Sequence, residues 1–505
     1  MASTPDTDGN PEGFGSRVRS ALAWRYGSQV VAQIITWGST IMVVRLLDPS
    51  DYGLFAMSQV VLAALAFLNG WGFAQSLVQQ KQVTRREIGQ AFALLLLLNG
   101  GLALAQYTGA PLIAAYYREP QIETMLRVQA LLYATTPFIA LASALLSREL
   151  SFRPQAIANM VASVVGAGSA LTLAWLGYGV WALVYAPIAA FATRAIGLIV
   201  ATRIWVWPVF DLRGARAMVA FGGAMTTVQM LWIVQSQSDI FIAGRSFDTY
   251  DLGLYAEALF LTLIVTARFL PPLNEVAFPA YSELHQAGRS LAPYFLKSLG
   301  AVALITFPIF IGLALSAQDA VATLFGAKWL PMAWIVAGLA LVMPTRALEI
   351  VCHPATNAIG RPRIAVLTNL FGAVAFAGSF LIGVRYGLEG MVHAWWFAAP
   401  AMLVATFALT LPALGARLSD VLRAILPAVT GCGAMTLAVL GLKTVLPEWP
   451  AFVRLALIGL VGAGTYGAVL WFGWRAMVLQ SLALIRRRPP PSAPEPGGRI
   501  QTTSG

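Results

Sequence analysis

From residue 21 to residue 479 the sequence is a succession of apolar runs about 20 residues long or longer, joined by connections of no more than about 15 residues. A run of that length, coiled at about 1.5 Å per residue, matches the ~30 Å hydrocarbon core of a bilayer. Of the 505 residues 58% are hydrophobic and 11% charged, against about 25% charged in a soluble domain. Mean hydropathy is +0.71, and no water-soluble fold could hide that much apolar surface. The solvent is a bilayer, in which the backbone must satisfy its own hydrogen bonds. Helices are expected at 21–44, 53–77, 88–115, 124–146, 156–176, 180–202, 217–244, 253–280, 294–316, 331–352, 364–384, 389–411, 421–442 and 453–479, fourteen in all.

The chain is also doubled. Residues 45–56 read RLLDPSDYGLFA and residues 245–256 read RSFDTYDLGLYA, so Arg45/Arg245, Asp48/Asp248, Asp51/Asp251, Gly53/Gly253, Leu54/Leu254 and Ala56/Ala256 recur at an offset of 200. Ordinary residue usage gives about one such match. A second trace pairs SFRP at 151–154 with IGRP at 359–362, and LGYGVW at 176–181 with VRYGLE at 384–389, at an offset of 208. Six spans per copy is an even number, so both copies share one orientation and the repeat axis runs along the membrane normal.

Basic residues set that orientation, because short cytoplasmic loops collect Lys and Arg. Alternate connections carry Arg17, Arg19 and Arg25, then Lys81, Arg85 and Arg86, and so on to Arg486, Arg487 and Arg488; the other side carries only Arg45, Arg118, Arg245, Lys328, Arg385, Lys443 and Arg454. Both termini are thus expected in the cytoplasm. The net charge of +11 flanks membrane spans and forms no basic domain, so membrane lipids, not nucleic acid, are the expected counterparts. Two cysteines and three scattered histidines indicate neither a disulfide framework nor a metal site, and no cofactor is expected.

The order of these features resembles the Wzx-type bacterial polysaccharide flippases, the polysaccharide transporter family of the multidrug/oligosaccharidyl-lipid/polysaccharide (MOP) exporter superfamily. The resemblance covers residues 20–480 and is sharpest at Arg45 to Ala56, at Ser238-Asp239 through Ala256, and at Phe278-Pro279. It implies an all-α polytopic membrane protein, two parallel six-helix lobes around a central cavity, with a C-terminal helix pair added. The expected organisation is a cytoplasmic tail at 1–19, an N-lobe at 20–204, a linker at 205–216, a C-lobe at 217–412, the extra helices at 413–482 and a second tail at 483–505. The extra pair resembles that of lipid II flippases in the same superfamily. The implied cargo is an undecaprenyl-diphosphate-linked oligosaccharide moved from the cytoplasmic to the periplasmic leaflet of the inner membrane by alternating access. Polysaccharide polymerase and export machinery are the implied further partners.

A diphosphate in low dielectric needs cations beside it. Arg268, deep in the eighth expected span, is the first candidate, the alternative being a salt bridge to Glu275 or Asp239 that only pins helices. Arg25, between Trp24 and Tyr26, is read as an entry site or an interfacial anchor. Arg346 is a third substrate-binding candidate, although Glu349 at i,i+3 can neutralise it. Asp239 and Glu275 are candidates for ion coupling or charge balance. Arg194 and Arg127 are read as snorkelling to the interfaces. Asp51 and Asp251 are expected to cap the second and eighth helices, with Gly53 and Gly253 allowing close packing. Pro271-Pro272 is expected to break or kink the eighth, and Gly459, Gly462, Gly464 and Gly467 to pack the last helix closely. Catalytic residues are not expected. A polymerase or ligase would need external bulk for its acceptor and a convergent acid/base set, neither of which is visible. A drug/cation antiporter of the same superfamily is the alternative reading, and it should line its cavity with acids where this chain offers arginines.

Overall fold

The computed structural model describes residues 31–66, 68–69, 83–149, 151–203, 206–211 and 232–475. The two expected tails and Arg25 lie outside the described residues, and the linker is described only over 206–211. Every regular element described is helical. The N-lobe comprises α1 (Val31–Leu46), α2 (Pro49–Ala66), α3 (Arg85–Tyr117), α4 (Pro120–Gln129), α5 (Leu131–Arg148), α6 (Phe152–Trp175) and α7 (Val180–Thr202). The C-lobe comprises α8 (232–246), α9 (Thr249–Gln286), α10 (Ala292–Leu315), α11 (Ala317–Leu324), α12 (Ala333–Ile350), α13 (Cys352–Ala358), α14 (Pro362–Gly383) and α15 (Gly387–Leu414). The extra pair is α16 (Leu418–Val445) and α17 (Ala451–Gly473).

Among the described residues, ten segments are long and apolar enough to cross a membrane. One of them, Pro362–Leu414, divides at Val384–Tyr386 into α14 and α15, of 22 and 28 residues. The other three expected spans, at 21–44, 53–77 and 217–244, run partly into residues outside the description. Apolar side chains that would drive aggregation in water stand on the outer surface, with Leu112 75%, Leu437 74% and Phe472 84% exposed. In a bilayer that surface meets acyl chains.

Local signals fix where the helices begin. Thr84 and Glu87 form a reciprocal cap on α3: the Glu87 amide donates to Thr84 Oγ1 at 3.2 Å, and the Thr84 amide donates to Glu87 Oε2 at 2.7 Å. The repeated aspartates act differently from expectation. Asp248, not Asp251, caps α9, its Oδ1 accepting from the Asp251 amide at 2.8 Å. Asp51 lies within α2, and its Oδ1 accepts from the Val180 amide at 2.9 Å, which satisfies an orphan donor at the start of α7. The start of each helix decides which aspartate can cap it, and α2 and α9 begin immediately after Asp48 and Asp248.

The 38 residues of α9 form one helix that passes through Pro271, Pro272 and Pro279 without a break. The extra pair docks on the C-lobe. Tyr466 donates its hydroxyl to Leu304 O at 2.8 Å, Lys443 reaches Leu315 O, and Arg454 pairs with Asp319 at 3.2 Å. In α17 only Gly462 of the four singled-out glycines meets a neighbour, at Met435 and Val439; Gly459, Gly464 and Gly467 face open space.

Candidate functional site

The two copies of the repeated motif meet each other. Helices α2 and α9 cross where Gly53 and Gly253 face one another. A Cβ on Gly53 would lie 1.9 Å from the Thr249 carbonyl oxygen, and one on Gly253 1.8 Å from that of Pro49. Carbon atoms in favourable contact sit about 3.5–4.0 Å apart, so only glycine admits this approach. Around the crossing, Tyr52 packs edge-on to Trp329 at 5.4 Å, and Val43, Leu47, Leu252, Leu254 and Tyr255 join one continuous buried core. That core drives the lobes together at this end of the bundle.

Reciprocal arginines fasten the same end. Arg45 of the N-lobe donates through Nε to Leu324 O at 3.0 Å and through its guanidinium to Thr323 O, at the C-terminus of α11. Arg245 of the C-lobe donates to Tyr116 O and, at 3.4 Å, to Ala115 O, at the C-terminus of α3. The donors are separated by 200 residues and the acceptors by 208, the two offsets of the repeat, so the two clamps are equivalent under the pseudo-two-fold relation. Each places a cation on the orphan carbonyls and negative end of a helix dipole. Lys328 pairs with Asp48 at 3.3 Å, the Trp329 indole donates to Val44 O at 3.0 Å, and Tyr116 donates to Phe241 O at 3.2 Å while stacked on its ring.

Beyond the crossing α9 changes character. Leu252, Leu254, Tyr255, Ala258 and Leu259 are buried, whereas Arg268 and all of 271–280 are exposed or partly exposed. Arg268 stands 15 residues past Gly253, about 22 Å along the helix. Among the described residues it has no hydrogen-bond or ion-pair partner; neither Glu275 nor Asp239 pairs with it. Glu275 is exposed two helical turns further on, also without a partner there.

Asp239 and Arg346 belong to a different, C-lobe network. Asp239, 1% exposed, accepts from the Ile240 amide at 2.8 Å and from the Tyr255 hydroxyl at 3.2 Å, and that hydroxyl accepts from the Trp395 indole at 2.8 Å. Trp395 packs edge-on to Phe376 at 5.1 Å, and Arg346 lies over the Phe376 ring at 5.3 Å. Arg346 then pairs with Glu349 at 3.0 Å, whose other oxygen meets His353 Nε2 at 2.8 Å. Arg346 is therefore held by a carboxylate as well as a ring, and the network does not include Arg268. Arg127 pairs with Glu123 at 2.7 Å and covers the Tyr107 ring.

Three features escaped the sequence reading. Glu257 is buried in α9, within electrostatic reach of Tyr52 across the lobe interface, and has no ion-pair partner among the described residues. Its signal was legible as a lone carboxylate in the apolar run LYAEALFL. Arg45 and Arg245 stood in the repeated motif, but their acceptors are backbone carbonyls, which carry no sequence signature. Arg194 is half-buried and lines an open cavity among α1, α2, α6 and α7.

Comparison with known proteins agrees with this architecture. A family model described as polysaccharide biosynthesis protein matches residues 42–334, more than half of the chain. The succinoglycan biosynthesis transport protein ExoT of Rhizobium meliloti (strain 1021) is 24% identical over 482 residues, covering 93% of this chain and 96% of ExoT. The lipopolysaccharide biosynthesis protein WzxC of Escherichia coli (strain K12) is 24% identical over 380 residues, 72% of this chain and 74% of WzxC. Among solved structures, the lipid II flippase MurJ in an inward closed conformation superposes with a TM-score of 0.73 at 11% identity, covering 90% of this chain and all of MurJ. An inward-facing multidrug resistance MATE family transporter of the MOP superfamily gives 0.62 at 16% identity, covering 77% and 94%. At such identities the structural likeness speaks for the two-lobed fold alone. By its family match the chain belongs to the polysaccharide biosynthesis protein family, as a polytopic membrane protein with this two-lobed fold, similar to ExoT and WzxC.

Proposed function

We propose that this protein is a flippase, and not an enzyme, that moves undecaprenyl-diphosphate-linked oligosaccharide repeat units from the cytoplasmic to the periplasmic leaflet of a bacterial inner membrane. It works by alternating access, with both termini in the cytoplasm and the Gly53–Gly253 crossing on the periplasmic side. The observation that carries this reading is the contrast along α9: a two-fold-related seal at one end, then an exposed half-helix bearing Arg268 with no partner among the described residues. An unpaired arginine at that depth is costly in a bilayer unless an anion meets it. A diphosphate is an anion whose geometry a guanidinium matches. An antiporter of cationic drugs would want the opposite sign there.

Arg25 is assigned to the entry of the carrier headgroup, Arg346 to a secondary contact, and Asp239 and Glu275 to charge balance or ion coupling during the cycle. The substrate is thus supplied by a glycosyltransferase reaction on a lipid diphosphate and consumed by a polymerising one. The test is leaflet-resolved accumulation of the lipid-linked oligosaccharide in cells lacking the protein, then restored with wild type or with Arg268→Ala. Build-up on the cytoplasmic face in the deletion strain and in the variant supports the reading. Normal delivery to the periplasmic face in the deletion strain, with no redundant transporter present, refutes it.

A further inference from the structure

A cavity of about 410 Å³ lies among α1, α2, α6 and α7 of the N-lobe, within the ~300–1,000 Å³ of ordinary ligand pockets. Its polar wall consists of Thr36, Ser39 and Thr40 on α1, Asn159 and Ser163 on α6, and Arg194 on α7. Arg194 stands eight residues before α7 ends at Thr202, about 12 Å along the helix. Its Nε is shielded from solvent with no hydrogen-bond partner, and among the described residues no carboxylate pairs with it. Its side chain lines the cavity. Among the described residues, no acidic side chain lines the cavity.

The hydroxyls beside it are already spent as donors. Thr36 donates to Ala32 O at 2.8 Å, Thr40 to Thr36 O at 2.8 Å, Ser163 to Asn159 O at 2.9 Å, and Ser39 to Ala167 O at 3.3 Å. Each hydroxyl oxygen keeps lone pairs free to accept. The Asn159 side-chain amide is unbonded among the described residues and can do both. One end of the cavity therefore offers fixed positive donors and the rim offers acceptors, which fits a ligand that is anionic at one point and hydroxylated next to it.

We propose that this N-lobe cavity binds the phosphoryl–sugar junction of the lipid-linked glycan, with Arg194 on a phosphate oxygen and the Asn159 and hydroxyl rim on the first sugar. The assignment rests on the flippase reading above and adds an N-lobe contact to the C-lobe's Arg268. The oxyanion chemistry itself could come from the carrier diphosphate or from a carboxylate on an acidic sugar.

Binding by the full-length protein in detergent separates these. The probes are undecaprenyl diphosphate, undecaprenol and galacturonate, measured with wild type, Arg194→Ala, Arg194→Lys and Asn159→Asp, each first checked for a monodisperse peak and helical circular dichroism. Undecaprenyl diphosphate should bind at least tenfold more weakly to Arg194→Ala and to Asn159→Asp, whose new carboxylate competes for the guanidinium. Arg194→Lys should recover part of the loss, and undecaprenol should be unaffected. Unchanged affinity for undecaprenyl diphosphate in both variants overturns the proposal. Loss confined to galacturonate overturns the phosphoryl assignment in favour of a sugar carboxylate. If wild type transports in the leaflet assay while Arg194→Ala binds and transports equally well, the cavity proposal fails and the flippase reading survives. If wild type neither binds the carrier nor affects its leaflet distribution, the flippase reading itself has failed.

Discussion

Replacing both Arg45 and Arg245 with alanine removes both clamps at the sealed end while leaving the Gly53–Gly253 crossing and its apolar core in place. Each arginine donates to two helix-terminal carbonyls of the opposite lobe. A hydrogen bond to a charged group contributes about 1.5–3 kcal/mol; both side chains are exposed, so the low end applies, roughly 1.5 kcal/mol per clamp. At ~1.4 kcal/mol per tenfold, each loss shifts the sealed-to-open ratio about tenfold and the pair about a hundredfold. If the sealed state holds a ratio of about 100:1, a single variant opens to roughly a tenth and the double variant to about half. Spin labels on cysteines replacing Gln121 and Ala327, exposed at this end on opposite lobes, read this out by pulsed electron resonance in nanodiscs; the native Cys352 and Cys432 are buried. The single variants should look nearly wild type and the double variant should gain a second, longer distance of comparable weight. A double variant with the wild-type distribution refutes the clamp reasoning. A single variant that opens as far as the double refutes the equivalence of the two repeats.

Gly53→Ala attacks the crossing itself, since its Cβ would fall 1.9 Å from the Thr249 carbonyl oxygen. The same labels should report a separated end, and overpacking of this kind costs about 1–3 kcal/mol; an unshifted distance would mean the helices can slide past the methyl. Glu349→Ala leaves Arg346 and His353 without their carboxylate, and breaking such a buried pair costs about 3–5 kcal/mol. The melting temperature in detergent should fall by several degrees, and an unchanged value would mean that the cation–aromatic contact with Phe376 suffices. Tyr255→Phe deprives Asp239 and the Trp395 indole of a common partner and should cost about 1–3 kcal/mol, read from the same melt, with Trp395 fluorescence shifting if the indole has lost its acceptor.

The spans were legible because a single physical length, the thickness of hydrocarbon, is imposed on every one of them. The doubling was legible because both copies keep the same corner residues at the place where the copies touch. What the corner does was only half legible. Gly53 and Gly253 were expected to pack closely, and they do so against each other's helices. The cap was assigned to the second aspartate of each motif, whereas α2 and α9 begin immediately after the first, because capping depends on the first helical residue and an Asp-x-x-Asp spacing admits either choice. The arginine clamps and the coupling of Asp239 through Tyr255, Trp395 and Phe376 to Arg346 depend on which helix faces come together, the clamps and the Tyr255–Trp395 bond across more than a hundred residues. Apolar membrane helices give weak facing signals, since both lipid and protein interior accept the same side chains.

The crossing at Gly53 and Gly253 is backbone against backbone, so no side chain from one helix is wedged into the other at that point. Most helix pairs are locked by ridges seated in grooves, and turning one forces every ridge to climb out. Under the proposed alternating access this contact would serve as a bearing. From Gly253 to the end of α9 at Gln286 is 33 residues, an arm of about 50 Å. Swinging that arm by ~10° about the glycines carries its tip through roughly 9 Å, close to the ~10–12 Å breadth of a whole helix. A motion too small to tear the apolar core at the pivot is thus large enough, at the far end, to change which groups can pass between the lobes.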